Sequence, residues 1–118
     1  MDLEAIPTPD LLLVRVLSER IDAAGAIQFK DRMRELSAPP GGVDGNAARI
    51  PVLLDMSRVG FLDSSGLGAV VAVMKLLAPR RLELAALTPT VEKVFRLTRM
   101  DSVFTIHPDL PEPLRHVG

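Results

Sequence analysis

Cysteine, tryptophan and tyrosine are absent from these 118 residues, and phenylalanine occurs only four times. Without cysteine there is neither a disulfide framework nor a thiolate metal site, and a reducing compartment is compatible. Without aromatic platforms, stacking on single-stranded bases loses its usual basis. A basic stripe is missing too. Fourteen Lys and Arg are scattered among fifteen Asp and Glu, for a net charge of −1. A nucleic-acid or membrane-surface role therefore has no electrostatic footprint. The longest apolar run, Gly66 to Leu77, is broken by Lys75. It falls short of the roughly 20 residues that span a bilayer. Met1-Asp2-Leu3-Glu4 lacks the basic start and apolar stretch of a signal peptide. These absences predict a soluble, cytoplasmic chain with no membrane and no nucleic-acid partner.

What is present is aliphatic. Apolar residues make up 47% of the chain, enough for the core of one domain. Leu11 to Leu17 is a nearly continuous apolar run, interrupted by Arg15, and reads as a strand covered on both faces. Ala26, Phe29, Met33 and Leu36 keep helical spacing and predict a helix over 23–36. The stretch from Pro39 to Arg49 predicts a long loop. Ile50 to Met56 reads as a second buried strand, with Pro51 at its start. Asp63 or Ser64 is placed to cap a helix running to Ala78. That helix is apolar nearly all round, which predicts deep packing. Gly66, Gly68, Ala69 and Ala72 would admit a neighbouring backbone. Leu82 to Leu87 is a third strand. Thr88-Pro89 predicts a cap followed by proline at the first helical position. Val103 to Ile106 is a last short strand. Strands alternating with helices predict an α/β fold with a mixed, mostly parallel sheet of four to five strands and three to four helices. The domain is expected over 1–107. A loosely ordered, proline-rich C-terminal tail is expected over 108–118.

The chemistry concentrates between Leu53 and Gly68. A buried strand ends at Asp55, a short loop follows, and Asp63-Ser64-Ser65-Gly66-Leu67-Gly68 opens a helix. In open α/β sheets, ligands and partners gather at this carboxyl edge. No Gly-Lys-Ser/Thr ending follows the glycines, so a phosphate loop is not indicated. No Gly-x-Ser-x-Gly elbow exists for a hydrolase. His107 and His116 are too isolated for a metal site and read as solvated. No cofactor and no metal is indicated.

The segment resembles the signature of STAS domains, specifically bacterial anti-sigma factor antagonists, whose hallmark Asp-Ser-Ser-Gly-Leu-Gly stands complete at Asp63 to Gly68. Thr88-Pro89-Thr90-Val91 is similar to the family's Ser-Pro-x-Val helix start. Leu97-Thr98-Arg99-Met100-Asp101-Ser102-Val103-Phe104 is similar to its Leu-Thr-Gly-Leu-x-x-Val-Phe ending. The resemblance covers about residues 11 to 107. It implies a protein-binding switch in transcription regulation and signal transduction, not an enzyme. The unphosphorylated form would bind an anti-sigma factor serine kinase and free a sigma factor. The kinase would phosphorylate the first serine of the motif, Ser64, making the chain a phosphoprotein. A PP2C-type phosphatase would reset it. Asp22, Asp63, Ser64, Ser65, Gly66 and Leu67 would face the partner.

Three departures stand out. The family's Gly-Glu before Leu-Asp is Glu19-Arg20 here, on the segment that faces the kinase, while Asp22 is retained. On residue type alone Asp22 reads first as a helix cap and second as a partner contact. The family's helix-ending glycine is Arg99, which would carry the cost of a left-handed backbone. The loop from Pro39 is longer than usual. Two other readings stay open. One is a STAS scaffold that does not switch, or that regulates a non-sigma partner. The other is a receiver domain accepting phosphate on Asp55, although it lacks the adjacent acidic pair and the late lysine that this chemistry needs.

Overall fold

The structure, a computed structural model, describes residues 1–37, 50–111 and Leu114. The strands are β1 (Leu3–Pro7), β2 (Leu12–Val16), β3 (Arg20–Ile21), β4 (Val52–Asp55), β5 (Phe61–Leu62), β6 (Leu82–Ala85) and β7 (Thr105–His107). The helices are α1 (Ala26–Ser37), α2 (Ser64–Leu77) and α3 (Pro89–Leu97), with a 3₁₀ turn at Met100–Ser102. Five strands form one sheet in the order β1-β2-β4-β6-β7. β1 is antiparallel to β2, and every other neighbour is parallel. β3 and β5 pair separately, in parallel.

Strand periodicity divides the core in two. Leu12, Val14, Val16, Val52, Leu54, Leu82 and Leu84 point to one face and share a core with Phe29, Met33, Val70, Val73, Val91 and Phe95 of the three helices. Leu13, Leu53 and Ala85 point the other way and pack with Leu114. The nearly continuous apolar run of β2 is thus explained. Both faces are covered, one by helices and one by the segment beyond β7. Phe95 meets Phe104 edge to face, with centroids 5.8 Å apart.

Several boundaries differ from expectation for local reasons. β1 was not legible, because Leu3-Glu4-Ala5-Ile6 alternates poorly and gains its meaning from pairing with β2. α1 starts at Ala26, since Ala23 to Gly25 form a turn. The last strand begins at Thr105 because Val103 closes a turn on Met100. α2 departs most. It buries only Gly66, Ala69, Val70 and Val73, and leaves Gly68, Lys75 and Leu76 exposed. Its apolar composition therefore does not mean deep packing on all sides. The long loop expected from Pro39 to Arg49 lies outside the described residues, as does His116.

Arg99 takes the left-handed conformation, φ 61° and ψ 19°, at the turn after α3. A β-carbon is crowded there, and glycine relieves the crowding. Arg99→Gly is therefore expected to stabilise the fold by up to about 1 kcal/mol, less the entropy that glycine adds to the unfolded chain. The urea midpoint should rise with an unchanged slope.

Candidate functional site

The site is built where β3 and β5 run together into the start of α2. Asp63 is its anchor. Its backbone is extended, and one carboxylate oxygen accepts from Gly66 N–H at 2.8 Å. The other accepts from Ala23 N–H at 3.2 Å, in the turn before α1. One side chain thus caps α2 and ties it to the mouth of α1. The cap is Asp63 and not Ser64, which leaves the Ser64 hydroxyl at the first helical position with its residue exposed. Ser65 is exposed beside it, and Leu67 is half-buried against the core.

Gly66 is buried and does different work. A β-carbon at 66 would lie 1.9 Å from the Ile21 carbonyl oxygen and 2.8 Å from its carbon. The helix can approach β3 this closely only without a side chain there. Gly68 is the reverse case, since a β-carbon there would meet nothing within 4 Å.

Asp22 is half-buried in the turn before α1 and accepts from Arg20 Nε at 3.0 Å. That hydrogen bond is the main reason its carboxyl is held below the usual carboxylate range. The N–H groups of Gly25 and Ala24 add to the effect. A carboxylate lowered in this way stays charged at neutral pH, and its contribution is lost only as pH falls through the lowered value. Asp22 therefore fastens the turn ahead of α1 and the neighbouring arginine together. The Arg20 guanidinium also lies 4.1 Å from the centroid of the Phe61 ring. Phe61 is 38% exposed beside Ser64's helix start, and Ile27 in the first turn of α1 is 68% exposed.

The loop behind the motif is fastened from two sides. Gly60 N–H donates to Glu19 C=O, and the Thr88 hydroxyl donates to Val59 C=O at 2.8 Å. Thr88 thus starts α3 without a side-chain cap bond, its hydroxyl being used across the loop. Asp55, the acceptor that a receiver domain would need, is 6% exposed and lies 3.6 Å from Arg15 Nε. His107, expected to be solvated, reaches the Glu83 carboxylate at 2.6 Å. Among the described residues no group of three or more His, Asp or Glu is placed to hold a metal ion. No helix among them is long and apolar enough to cross a membrane.

A family model for the STAS domain matches residues 2–112. The chain belongs to the STAS domain family. The fold agrees with solved STAS structures. An anti-sigma factor antagonist from Mycobacterium paratuberculosis superposes with a TM-score of 0.73 at 23% identity, covering 92% of this chain and 86% of that one. The Bacillus cell fate determinant SpoIIAA, an anti-sigma factor antagonist, matches in its unphosphorylated form with a TM-score of 0.67 at 23% identity, over 95% of this chain and 90% of that chain. Its phosphorylated form matches with a TM-score of 0.61 at 22% identity, over 95% and 94%. The same fold lies within the murine anion transporter Slc26a9. That match has a TM-score of 0.70 at 17% identity and covers 87% of this chain but 17% of the transporter.

Within this STAS domain the sequence motif brings together Asp63, Ser64, Ser65, Gly66 and Leu67, and the Asp63–Ala23 bond draws in the turn that holds Asp22. The Arg20–Phe61 stack escaped sequence reading. β3 and β5 are two residues each, too short for a period, and Arg20 meets Phe61 across the length of chain that holds α1 and β4.

The two glycines of the motif should respond to alanine with opposite signs. Gly66→Ala should destabilise by about 1–3 kcal/mol or more, because backbone must move. Gly68→Ala should stabilise by about 0.5–1 kcal/mol through helix propensity alone. Thermal melts of the two variants beside the wild type check both. Asp63→Ala should cost about 1–2 kcal/mol through loss of the cap.

Proposed function

We propose that this STAS domain is a cytoplasmic protein-binding switch, not an enzyme. Its unphosphorylated form docks on an anti-sigma factor serine kinase and so frees a sigma factor. Phosphorylation of Ser64 ends the docking, and a PP2C-type phosphatase restores it. The observation that carries this reading is the exposed Ser64 at the first position of a helix whose cap is supplied by its neighbour Asp63. The hydroxyl is not needed by the fold and is open to a kinase.

The surroundings favour a docking face. Ala23, Ala24, Ile27, Phe61 and Gly68 are exposed around the two helix starts, and Leu67 and Val71 are half-buried. An apolar collar of this kind is suited to burial against a partner. A phosphoserine brings about −1.5 to −2 charge into that collar. Burying the dianion would cost far more than burying the hydroxyl. Asp63 adds like charge beside it. Inside the domain the same dianion is tolerated better, because the N-terminus of a helix favours anions. The switch therefore acts on the interface and leaves the fold intact. Partner contacts are assigned to Ser64, Ser65, Leu67, Asp22 and the exposed stack of Arg20 on Phe61. Asp63 and Gly66 hold the face in shape.

A second reading is a STAS domain that serves a partner other than an anti-sigma factor. The occurrence of the fold within an anion transporter favours it.

Phosphosite mapping on protein isolated from its own cells should return Ser64. Quantitative phosphorylation of Ser64 should weaken partner binding by about 100-fold or more, equivalent to about 2.7 kcal/mol, while the melting temperature moves by only a degree or two. Calorimetry of the phosphorylated and unphosphorylated forms measures both. Equal affinity of the two forms would sink the switch. Gly68→Ala should lower affinity while raising stability, since its β-carbon projects only into the proposed interface.

A further inference from the structure

A second concavity opens at the carboxyl ends of β2, β4 and β6, beyond the Ser64 face. It is a groove of about 350 Å³ lined by Arg15, Asp55, Ser57, Arg58, Ala86 and Leu110, among others. Crevices at this edge of a parallel sheet are where small ligands bind. The residues come from five segments: β2, β4, the loop after β4, the residue after β6 and the exit from β7.

The hydrogen-bonding accounts of the groove are unequal. Its acceptors are committed. Asp55 Oδ1 takes the Ser57 N–H at 2.9 Å, and Oδ2 faces Arg15. Asp109, also in the lining, is engaged. The donors are not all committed. Arg15 gives one terminal nitrogen to Leu114 C=O at 3.2 Å and turns another toward Glu4 at 3.8 Å. Its Nε is buried with no hydrogen-bond acceptor, because Asp55 at 3.6 Å is beyond hydrogen-bonding range. Arg58 and Ser57 are exposed at the rim, and among the described residues neither side chain forms an ion pair or a hydrogen bond. The capacity that no protein group meets is therefore donor capacity, and it suits an oxyanion.

Charge and shape narrow the class. Two arginines stand against two aspartates in the lining, so the groove carries no net charge and does not attract a polyanion; with Asp55 facing Arg15 and Asp109 engaged, Arg58 is the cation left for one negative charge. No aromatic residue lines it, so a base would find nothing to stack on. The remaining wall is aliphatic: Val16, Ala86 and Leu110. Ala86 holds a left-handed backbone, φ 59°, kept in place by its N–H on His107 C=O at 3.0 Å. Strain of this kind collects at functional sites.

We propose that this groove binds a small aliphatic monocarboxylate. The Arg58 guanidinium and the Ser57 hydroxyl take the carboxylate, and the short hydrocarbon lies on Val16, Ala86 and Leu110. The site is separate from Ser64 and does not depend on the switch.

The test is a ¹⁵N–¹H correlation titration of the whole chain with sodium butyrate, against sodium chloride at equal ionic strength and against inorganic phosphate. Saturable shifts are expected at the amides of Ser57, Arg58 and Ala86, with a Kd of roughly millimolar or tighter. Arg58→Gln should weaken butyrate by about tenfold with melting unchanged, as loss of a charge-assisted pair requires. Ser57→Ala should weaken it less. Shifts no larger than those with chloride, shifts centred elsewhere, or undiminished binding by Arg58→Gln would overturn the site. Phosphate binding as tight as butyrate would overturn its assignment to carboxylates.

Discussion

The approach of α2 to β3 governs the geometry of this STAS domain. The Ile21 carbonyl stands where a β-carbon of residue 66 would be, so the helix start and the strand close up backbone to backbone. Asp63 bonds from the same junction to Gly66 and to Ala23. A glycine that permits contact and an aspartate that fastens it fix one corner, and the starts of α1 and α2 are set side by side. Ser64 is presented outward as a consequence. It follows a residue that has used its own side chain for the cap, in a helix whose opposite face is pressed on Ile21.

That corner also explains why α2 is so apolar yet only half covered. Ala69, Val70 and Val73 are drawn onto the core by the anchored first turn. The opposite side is left with Gly68 and Leu76 exposed and with Leu67 and Val71 half-buried. Among the described residues nothing uses the bare helical Gly68, which costs about 0.5–1 kcal/mol against alanine. A surface that is both apolar and close to the helix axis is better matched to contact with another chain than to water. The physical argument for a docking face thus comes from burial that is missing, next to a hydroxyl the fold does not need.

Sequence reading reached the parts whose determinants are local. The run Leu12–Val16 and the spacing of Phe29 and Met33 gave β2 and α1. The start of α2 was legible to within one residue, Asp63 or Ser64, because the cap bond to Gly66 is local; the bond from Ala23 that accompanies it is not. The left-handed Arg99 was legible through the resemblance alone, in which it stands where the family has its helix-ending glycine. What failed was non-local. α2 was judged by its own composition, which counts apolar side chains but not the neighbours available to cover them. Thr88 reads as a cap by type, yet its hydroxyl is taken by Val59, 29 positions away. Asp55 reads as the end of a buried strand, and only the register of β2 against β4 sets it opposite Arg15. The groove joins residues from 15 to 110 and has no signature in any one segment.

The segment from Asp55 to Asp63 belongs to both surfaces. Its first half, with Ser57 and Arg58, lines the groove; its second half, through Phe61, delivers Ser64. It is not a slack connection. Met56 N–H is held by Ala85 C=O, Gly60 N–H by Glu19 C=O, and Val59 C=O by Thr88, so β6, the residue ahead of β3 and the start of α3 all grip it. Val59 and Met56 are buried between these grips. The sheet edge and the Ser64 corner are therefore joined by one short stretch, in which Met56, Val59 and Leu62 are buried while Ser57, Arg58, Gly60 and Phe61 are exposed. An aspartate fastens each end of this stretch, Asp55 by accepting from Ser57 N–H at the sheet edge and Asp63 by accepting from Gly66 N–H at the helix start.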